Sequence, residues 1–130
     1  MLIVEDQPYM RRTLRKFLQA AFPERAIHEA CSGSRALAQC RDHCPSVVLL
    51  DIELPDANGI ELTPDIRALL PGAAIIIVSH YASAEYVRRA LAAGATAYVT
   101  KDAVEDELVP AVRAALARQA PPPRIDGRTE

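Results

Sequence analysis

Five polar or charged side chains stand at or near the ends of apolar runs in the sequence. They are Glu5, Asp6, Asp51, Ser79 and Lys101. Open α/β sheets bind ligands outside the carboxyl ends of their strands. If the apolar runs are parallel strands of one such sheet, these side chains meet in a single crevice.

This set of groups suits phosphoryl transfer. Three carboxylates in one crevice raise one another's pKa values unless a cation compensates their charge. Mg²⁺ prefers oxygen ligands, usually one or two carboxylates together with waters and phosphate oxygens. A carboxylate can also attack a phosphoryl group whose charge a divalent ion neutralises. Ser79 and Lys101 are suited to hold the phosphoryl oxygens.

Each residue taken alone has an ordinary structural explanation. Asp51 could cap a helix, Lys101 could be a solvated surface charge, and Ser79 could be satisfied by the backbone. The ordered set is the stronger signal, because its members fall at the same end of four different strands.

Strand and helix patterns alternate along the chain. The predicted strands lie at 2–4, 26–31, 46–51, 74–80 and 95–101. A segment with apolar residues at helical spacing follows each strand, and the last of them runs from about Val104 to Arg118. The pattern predicts a doubly wound α/β fold, with a five-stranded parallel sheet and five flanking helices.

Several residues are suited to the helix ends. They are Asp6, Ser32 or Ser34, Asn58 and Ser83 at helix starts, and Gly94 at a helix end. Pro64 and Pro110 fall inside predicted helices, beyond the first turn, where proline normally kinks or breaks a helix. We therefore expect either a later start or a bend in these two helices.

Composition narrows the class of protein. The 130 residues suit one domain, and a formal net charge of -2 provides no basic field for nucleic acid or anionic lipid. No apolar run approaches the ~18 residues of a membrane span, and MLIVED lacks the basic region of a signal peptide. The three cysteines have no framework spacing, which favours free thiols in a reducing compartment. We expect a cytoplasmic domain.

The segment CRDHC at 40–44 suggests a zinc site formed by Cys40, His43 and Cys44. Alternatively, the helical spacing places Cys40 on the core face of its helix as a small apolar side chain. The second interpretation is favoured, because no fourth ligand is evident. His28 is expected on or near the sheet surface.

The sequence resembles the receiver domain of bacterial two-component response regulators over residues 1–118. The matching features are ED after the first strand, D-x-x-x-P-x-x-x-G after the third, S after the fourth and K after the fifth. The segments VVLLDIELPDANGIEL, YVRRALAAGATAYVTKDA and LVPAVRAAL are most similar to the NarL/FixJ (LuxR-type) subgroup. The resemblance implies a flavodoxin-like sheet with strand order 2-1-3-4-5.

The resemblance also implies roles for particular residues. Asp51 is the expected phosphorylation site, and Mg²⁺ is the expected cofactor. Its implied ligands are Glu5, Asp6, Asp51 and the backbone carbonyl of Glu53. Ser79 and Lys101 are implied to bind the phosphoryl group, and Tyr98 matches the aromatic residue that turns inward on switching.

Three positions are expected to affect access to Asp51 or the lifetime of its phosphoryl group. His80 stands where receivers usually have a small residue, and it could either narrow access or turn to solvent. Tyr81 and Glu53 match positions that tune phosphoryl lifetime, and an aromatic ring at Tyr81 is expected to slow hydrolysis. Asp102 replaces a proline that is common after the lysine, so the conformation of this peptide bond is open.

The resemblance further implies partners for this domain. A sensor histidine kinase is the expected phosphoryl donor, and a homodimer is expected on activation. The chain is expected to be either the receiver part of a longer transcription factor or a stand-alone receiver. Binding to DNA is expected only through a domain outside this chain, and no membrane partner is expected. Residues 119–130, QAPPPRIDGRTE, are expected to form a proline-rich linker or a disordered tail.

Other functions fit less well. A receiver fold that docks without phosphorylation would normally have lost one of the five functional groups, and all five are present here. A haloacid dehalogenase-type phosphatase takes its nucleophile from the first strand and follows it with D-x-D, whereas this chain has Asp51-Ile52-Glu53 after the third. A flavin-binding fold needs a phosphate loop where EDQP stands. We therefore expect a switch, with at most self-phosphorylation and slow autodephosphorylation as activities of its own.

Overall fold

The computed structural model describes residues 1–119, which form a parallel sheet flanked by helices. The strands are β1 Leu2–Val4, β2 His28–Ala30, β3 Val47–Leu50, β4 Ala74–Ser79 and β5 Ala97–Thr100. Their order is β2-β1-β3-β4-β5, and every neighbouring pair is parallel. The predicted fold class and strand order are confirmed.

Five helices cover the two faces of the sheet. They are α1 Pro8–Ala21, α2 Gly33–His43, α3 Gly59–Leu69, α4 Ala84–Ala93 and α5 Val104–Arg118. A 3₁₀ turn, Lys101–Ala103, precedes α5, so the prediction that Lys101 belongs to the fifth strand is wrong. Within residues 1–119, none of the helices has the length and apolar character needed to cross a bilayer.

The central strands are buried on both faces, as their continuous apolar runs predict. Alternate side chains of β3 enter different cores, with Val48 and Leu50 on one side of the sheet and Val47 and Leu49 on the other. The first core is completed by α2, α3 and α4, and the second by α1 and α5. Both cores hold the strands rigidly, which fixes where their carboxyl ends lie.

Most predicted helix ends are confirmed. The side chains of Ser32, Asn58 and Ser83 accept backbone N–H groups at the starts of α2, α3 and α4. Gly94 ends α4 with φ 117°, a left-handed conformation that suits glycine.

The prediction that Asp6 caps α1 is wrong. The capping position is Gln7, and no side chain caps this helix end. Pro8 occupies the first turn, where its fixed φ suits a helix start and its missing N–H needs no partner. The carboxylate of Glu5 accepts the N–H of Gln7 at 3.1 Å. Asp6 is thereby left exposed to solvent.

The two internal prolines lie within continuous helices. Helix α3 begins at Gly59 and contains Pro64, and α5 begins at Val104 and contains Pro110, so neither helix starts late. Both prolines are exposed. A helix that packs on a core curves with its convex side toward solvent, which is where a proline is best accommodated.

The CRDHC segment forms no metal cluster in the described part of the chain, residues 1–119. Cys40 is fully buried in the core beneath α2, as favoured from its spacing, and burial raises the pKa of its thiol to about 11. His43 stacks on His28 at the edge of the sheet, with ring centroids 3.7 Å apart. His28 is half-buried at this edge, consistent with the predicted surface position.

Gln119 is the last residue that the structure describes. Gln119 was assigned to the tail, but its side chain donates to the backbone carbonyl of Ser46 at 2.7 Å. The remainder of the predicted tail, residues 120–130, lies outside the described residues.

The histidine pair leads to a prediction about pH and stability. Burial, followed by the neighbouring His43, lowers the pKa of His28 below its ordinary value of 6.5. Stability from neutral His28 is therefore complete above the unfolded pKa and is lost as the pH falls through the folded one. We expect His28→Phe, which keeps an aromatic stack, to reduce the fall in Tm between about pH 7 and about pH 5 by about 2 °C.

Thermal unfolding followed by circular dichroism at both pH values measures this difference. Equal losses of Tm in the wild type and in His28→Phe would contradict the assignment to His28.

Candidate functional site

The carboxyl ends of β1 and β3 place Glu5 and Asp51 side by side. The two strands pair with Val4 opposite Leu50, and the N–H of Asp51 continues the pairing by donating to the carbonyl of Val4 at 3.1 Å. Ser79 ends the neighbouring strand β4 and is buried. Strand order, rather than sequence distance, therefore brings these side chains to one edge.

Lys101 links the two carboxylates. Its ammonium lies 2.9 Å from Glu5 Oε1 and 3.0 Å from Asp51 Oδ2. The three side chains are only 3%, 1% and 5% exposed, in the order Lys101, Glu5, Asp51. A buried charge without a partner is strongly destabilising, so these groups depend on one another.

The ionisation of Lys101 and Glu5 reflects the balance between burial and pairing. Burial alone lowers the pKa of Lys101, but its contacts with Glu5 and Asp51 outweigh burial and raise the pKa overall. Burial raises the pKa of Glu5, and the nearby Asp51 adds to this effect against the opposing influence of Lys101. The ammonium therefore remains charged, while Glu5 gains a proton more easily than an exposed glutamate.

The acidic group is suited to a divalent cation. Carboxylate oxygens of Glu5, Asp6 and Asp51 all lie within 4.8 Å of one another. Glu5 Oε1 touches Lys101 but makes no hydrogen bond of good geometry. Three carboxyl groups face a single ammonium, and all the donors are hard oxygen atoms. The residues present therefore fit Mg²⁺.

The loop after β3 is closed on itself. Gly59 N–H donates to the carbonyl of Ile52 at 2.7 Å, and Leu54 N–H donates to that of Ala57 at 3.2 Å. A Cβ atom at position 59 would lie 2.1 Å from the carbonyl oxygen of Asp51. This position therefore requires glycine, because the start of α3 returns directly beneath Asp51.

The side chains of Tyr81 and Glu53 meet across the loops that border the site. The hydroxyl of Tyr81 donates to Glu53 Oε2 at 2.7 Å, and its ring stacks on Tyr86 with centroids 4.5 Å apart. The hydrogen bond to Glu53 raises the pKa of the Tyr81 phenol. Both positions were singled out from the sequence, but their contact was not foreseen.

Tyr98 is connected to the same loop. Its hydroxyl donates to the backbone carbonyl of Tyr81 at 2.6 Å, while the N–H of Tyr81 donates to Ser79 Oγ at 3.1 Å. Tyr98 is half-buried and packs against the core formed with α2, α3 and α4. Tyr81 thus has one backbone group bound to Ser79 and the other bound to Tyr98.

Two positions left open by the sequence can now be located. His80 is exposed, which favours the solvent-facing interpretation. The peptide bond between Lys101 and Asp102 is trans, since residues 1–119 contain no cis peptide. The carboxylate of Asp102 accepts the hydroxyl of Thr100 at 2.6 Å.

Sequence reasoning assigned no role to Asp56. Its carboxylate accepts the backbone N–H groups of Gly33 and Ser34, at 2.7 and 3.0 Å. The only sequence signal was an acid within the loop that follows Asp51, and that signal did not identify the partner helix.

Comparison with known proteins places this arrangement in a family. Residues 1–113 match the model of the response regulator receiver domain. The chain is 34% identical over 118 residues to an uncharacterized transcriptional regulatory protein, YxjL, of Bacillus subtilis, covering 91% of this chain and 54% of that protein. It is 38% identical over 111 residues to the DNA-binding transcriptional activator DevR/DosR of Mycobacterium tuberculosis, covering 85% and 51%.

Solved structures of response regulators are also similar to this chain. A LuxR-family two-component response regulator from an Aurantimonas species superposes with a TM-score of 0.79 at 31% identity, covering 94% of this chain and 88% of that one. The chain spans about half the length of the curated relatives named above. With the family model matched over most of its length, the chain belongs to the receiver domains of two-component response regulators.

Proposed function

We propose that this domain is a phosphorylation-controlled switch in which Asp51 accepts a phosphoryl group from the phosphohistidine of a sensor histidine kinase. The observation that carries the proposal is the position of Lys101, whose buried ammonium contacts both Asp51 and Glu5. A surface lysine with only a structural role would instead extend into solvent.

The proposed reaction uses the Asp51 carboxylate as the nucleophile. A new bond forms between a carboxylate oxygen and phosphorus as the bond from phosphorus to the histidine nitrogen breaks, and its electron pair stays on that nitrogen. Lys101, 3.0 Å from Asp51 Oδ2, would pair with a phosphoryl oxygen. Ser79 ends β4, the strand next to β3, and its hydroxyl would donate to another phosphoryl oxygen.

Glu5, Asp6, Asp51 and the backbone carbonyl of Glu53 would hold Mg²⁺. When bound, the cation supplies positive charge that offsets the charge of the phosphoryl group. Glu5 contributes a buried oxygen next to Asp51, while Asp6 contributes an exposed one. The proposal for the metal rests on this donor set.

The proposed switch runs through Tyr81. A phosphoryl group on Asp51 adds nearly two negative charges and three acceptor oxygens, which attract the Ser79 hydroxyl. Rotation of Ser79 toward them releases the N–H of Tyr81, whose carbonyl is bound to Tyr98. The added charge thus alters the conformation of the loop before α4 and the hydrogen bond between Tyr81 and Tyr98. These local changes in turn shift the conformation of the surface formed by α4, β5 and α5.

We further propose how the switch is used. Two relatives, of which this chain covers about half, are named as a transcriptional regulatory protein and a DNA-binding transcriptional activator, which supports an output through a DNA-binding domain outside this chain. We expect the receiver to form a homodimer on activation and to show at most slow autodephosphorylation. The three free thiols support a reducing, cytoplasmic location.

The first prediction for the site concerns phosphorylation itself. Incubation with acetyl phosphate or phosphoramidate and Mg²⁺ should add one phosphoryl group, because Asp51 lies beside both Lys101 and the carboxylates that would hold the cation. Intact-mass spectrometry measures the adduct, and Asp51→Asn should acquire none.

The failure modes are distinguishable. No adduct together with no beryllofluoride complex would reject phosphorylation and favour a docking module that works without it. Beryllofluoride binding without an adduct would instead indicate restricted donor access. In that case His80→Ala should restore phosphorylation.

The second prediction concerns phosphoryl lifetime. The hydroxyl of Tyr81 donates to Glu53, and we expect its ring, held there, to limit the approach of water to the site. Tyr81→Ala should therefore hydrolyse the aspartyl phosphate about fivefold faster, corresponding to ~1 kcal/mol in the activation free energy. The decay of the phosphorylated mass with time measures the rate.

Tyr81→Phe is the matched control, because it removes the hydroxyl and keeps the ring. A hydrolysis rate of Tyr81→Phe between those of the wild type and Tyr81→Ala would show that the ring and the hydrogen bond to Glu53 each contribute to the lifetime. A lifetime in Tyr81→Ala equal to that of the wild type would rule out the shielding role.

A further inference from the structure

The loop that follows Asp51, residues 52–58, here named the acceptor loop, makes a contact that the phosphoryl chemistry does not explain. Asp56, five residues beyond Asp51, accepts the first two N–H groups of α2 with its two carboxylate oxygens, at 2.7 Å from Gly33 and 3.0 Å from Ser34. The two donor residues precede Asp56 in the sequence by 23 and 22 positions. The bonds are charge-assisted, which makes them stronger than bonds between neutral groups.

The start of α2 is built to receive this carboxylate. Its first turn contains no acidic residue of its own, so Asp56 supplies the negative charge that complements the helix dipole. The third N–H, from Arg35, goes to the hydroxyl of Ser32. The pKa of Asp56 is lowered, chiefly by the N–H of Gly33 and then by that of Ser34.

Gly33 provides the space for this approach. A Cβ atom at this position would lie 2.8 Å from the Cβ of Ala57 and 3.2 Å from Asp56 Oδ1. The tip of the acceptor loop therefore packs directly against the backbone of α2. A larger residue at position 33 would force the two apart.

The contact also holds the part of the loop that faces the site. Residues 53–58 form a small closed turn, in which Glu53 bridges to Asn58 and Leu54 N–H donates to Ala57. Within residues 1–119, the Asp56 bonds are the only side-chain hydrogen bonds that join residues 54–57 to another element. Leu54 also packs against the core formed with α2, α3 and α4, but without the Asp56 bonds no side-chain hydrogen bond within residues 1–119 ties the tip of the turn to another element.

We infer that Asp56 is a positioning residue, which anchors the acceptor loop to α2 and thereby aligns the backbone carbonyl of Glu53 for the cation. This inference rests on the proposed function of the site. Asp56 itself is exposed and contacts neither Asp51 nor Lys101 through any hydrogen bond of the described chain. It acts through the turn that it holds.

The test measures Mg²⁺ binding and loop exposure in the full 130-residue chain. Asp56→Ala should raise the Mg²⁺ dissociation constant, measured by calorimetry, about tenfold, as is typical when support for a metal ligand is lost. At saturating Mg²⁺, its rate of phosphorylation by phosphoramidate should return to the wild-type value. Asp56→Asn keeps one acceptor oxygen, so its Mg²⁺ dissociation constant should lie between those of the wild type and Asp56→Ala.

Hydrogen exchange provides a second readout that needs no metal. Asp56→Ala should increase amide exchange in residues 51–59, and Gly33→Ala, which displaces the loop from the other side, should do the same. Ser32→Ala is the matched control, because it removes a cap from the same helix end without touching the loop. It should increase exchange at the start of α2 while leaving Mg²⁺ affinity and exchange in residues 51–59 unchanged.

Two results would overturn the inference. One is an Asp56→Ala protein with wild-type Mg²⁺ affinity and loop protection. The other is a Ser32→Ala protein that loses as much Mg²⁺ affinity as Asp56→Ala, since the effect would then come from helix stability. A wild-type protein that neither binds Mg²⁺ nor accepts a phosphoryl group would reject the proposed function, and loop exchange alone would then decide whether Asp56 is an anchor.

Discussion

The buried ammonium of Lys101 is the constraint on which the rest of the site depends. Glu5 and Asp51 end neighbouring strands and are almost completely shielded from water, so their negative charges require a partner. Lys101 provides it from the turn after β5, two strands away from β3. The contact therefore ties the carboxyl ends of β1, β3 and β5 together through electrostatics, in addition to the backbone hydrogen bonds of the sheet.

The compensation is incomplete, and this gives the site its chemical character. One ammonium offsets one of three nearby carboxylates, and Glu5 responds with a raised pKa that has burial as its main cause. A fully neutralised cluster would attract a cation only weakly. Here the remaining negative charge suits a divalent cation, while Lys101 adds a positive charge beside Asp51.

The loops around the site are held in place by contacts with neighbouring elements. Gly59 lets α3 return beneath Asp51, and Asp56 holds the tip of the acceptor loop on α2. On the other side, Tyr81 contacts Glu53, Ser79 and Tyr98 through its hydroxyl, N–H and carbonyl groups. The loop after Asp51 is thus bonded to the start of α2, whereas Tyr81 is held by three hydrogen bonds and by its ring stack on Tyr86.

Much of this architecture follows from the sequence alone. Continuous apolar runs dictate two-sided burial of the central strands, and the polar residues that end those runs must then share one edge of a parallel sheet. Caps such as Ser32 and Ser83 are also readable, because a cap bonds to its own helix within three residues. The Asp6 cap was wrong because Pro8 and Glu5, also local, satisfy the start of α1 in another way. Only the tertiary structure shows the contacts of Asp56 with α2, of Tyr81 with Glu53 and of His28 with His43, which join residues 15 to 28 positions apart. Such contacts depend on loop conformation and on which strands are neighbours, and neither leaves a periodic or local pattern in the sequence.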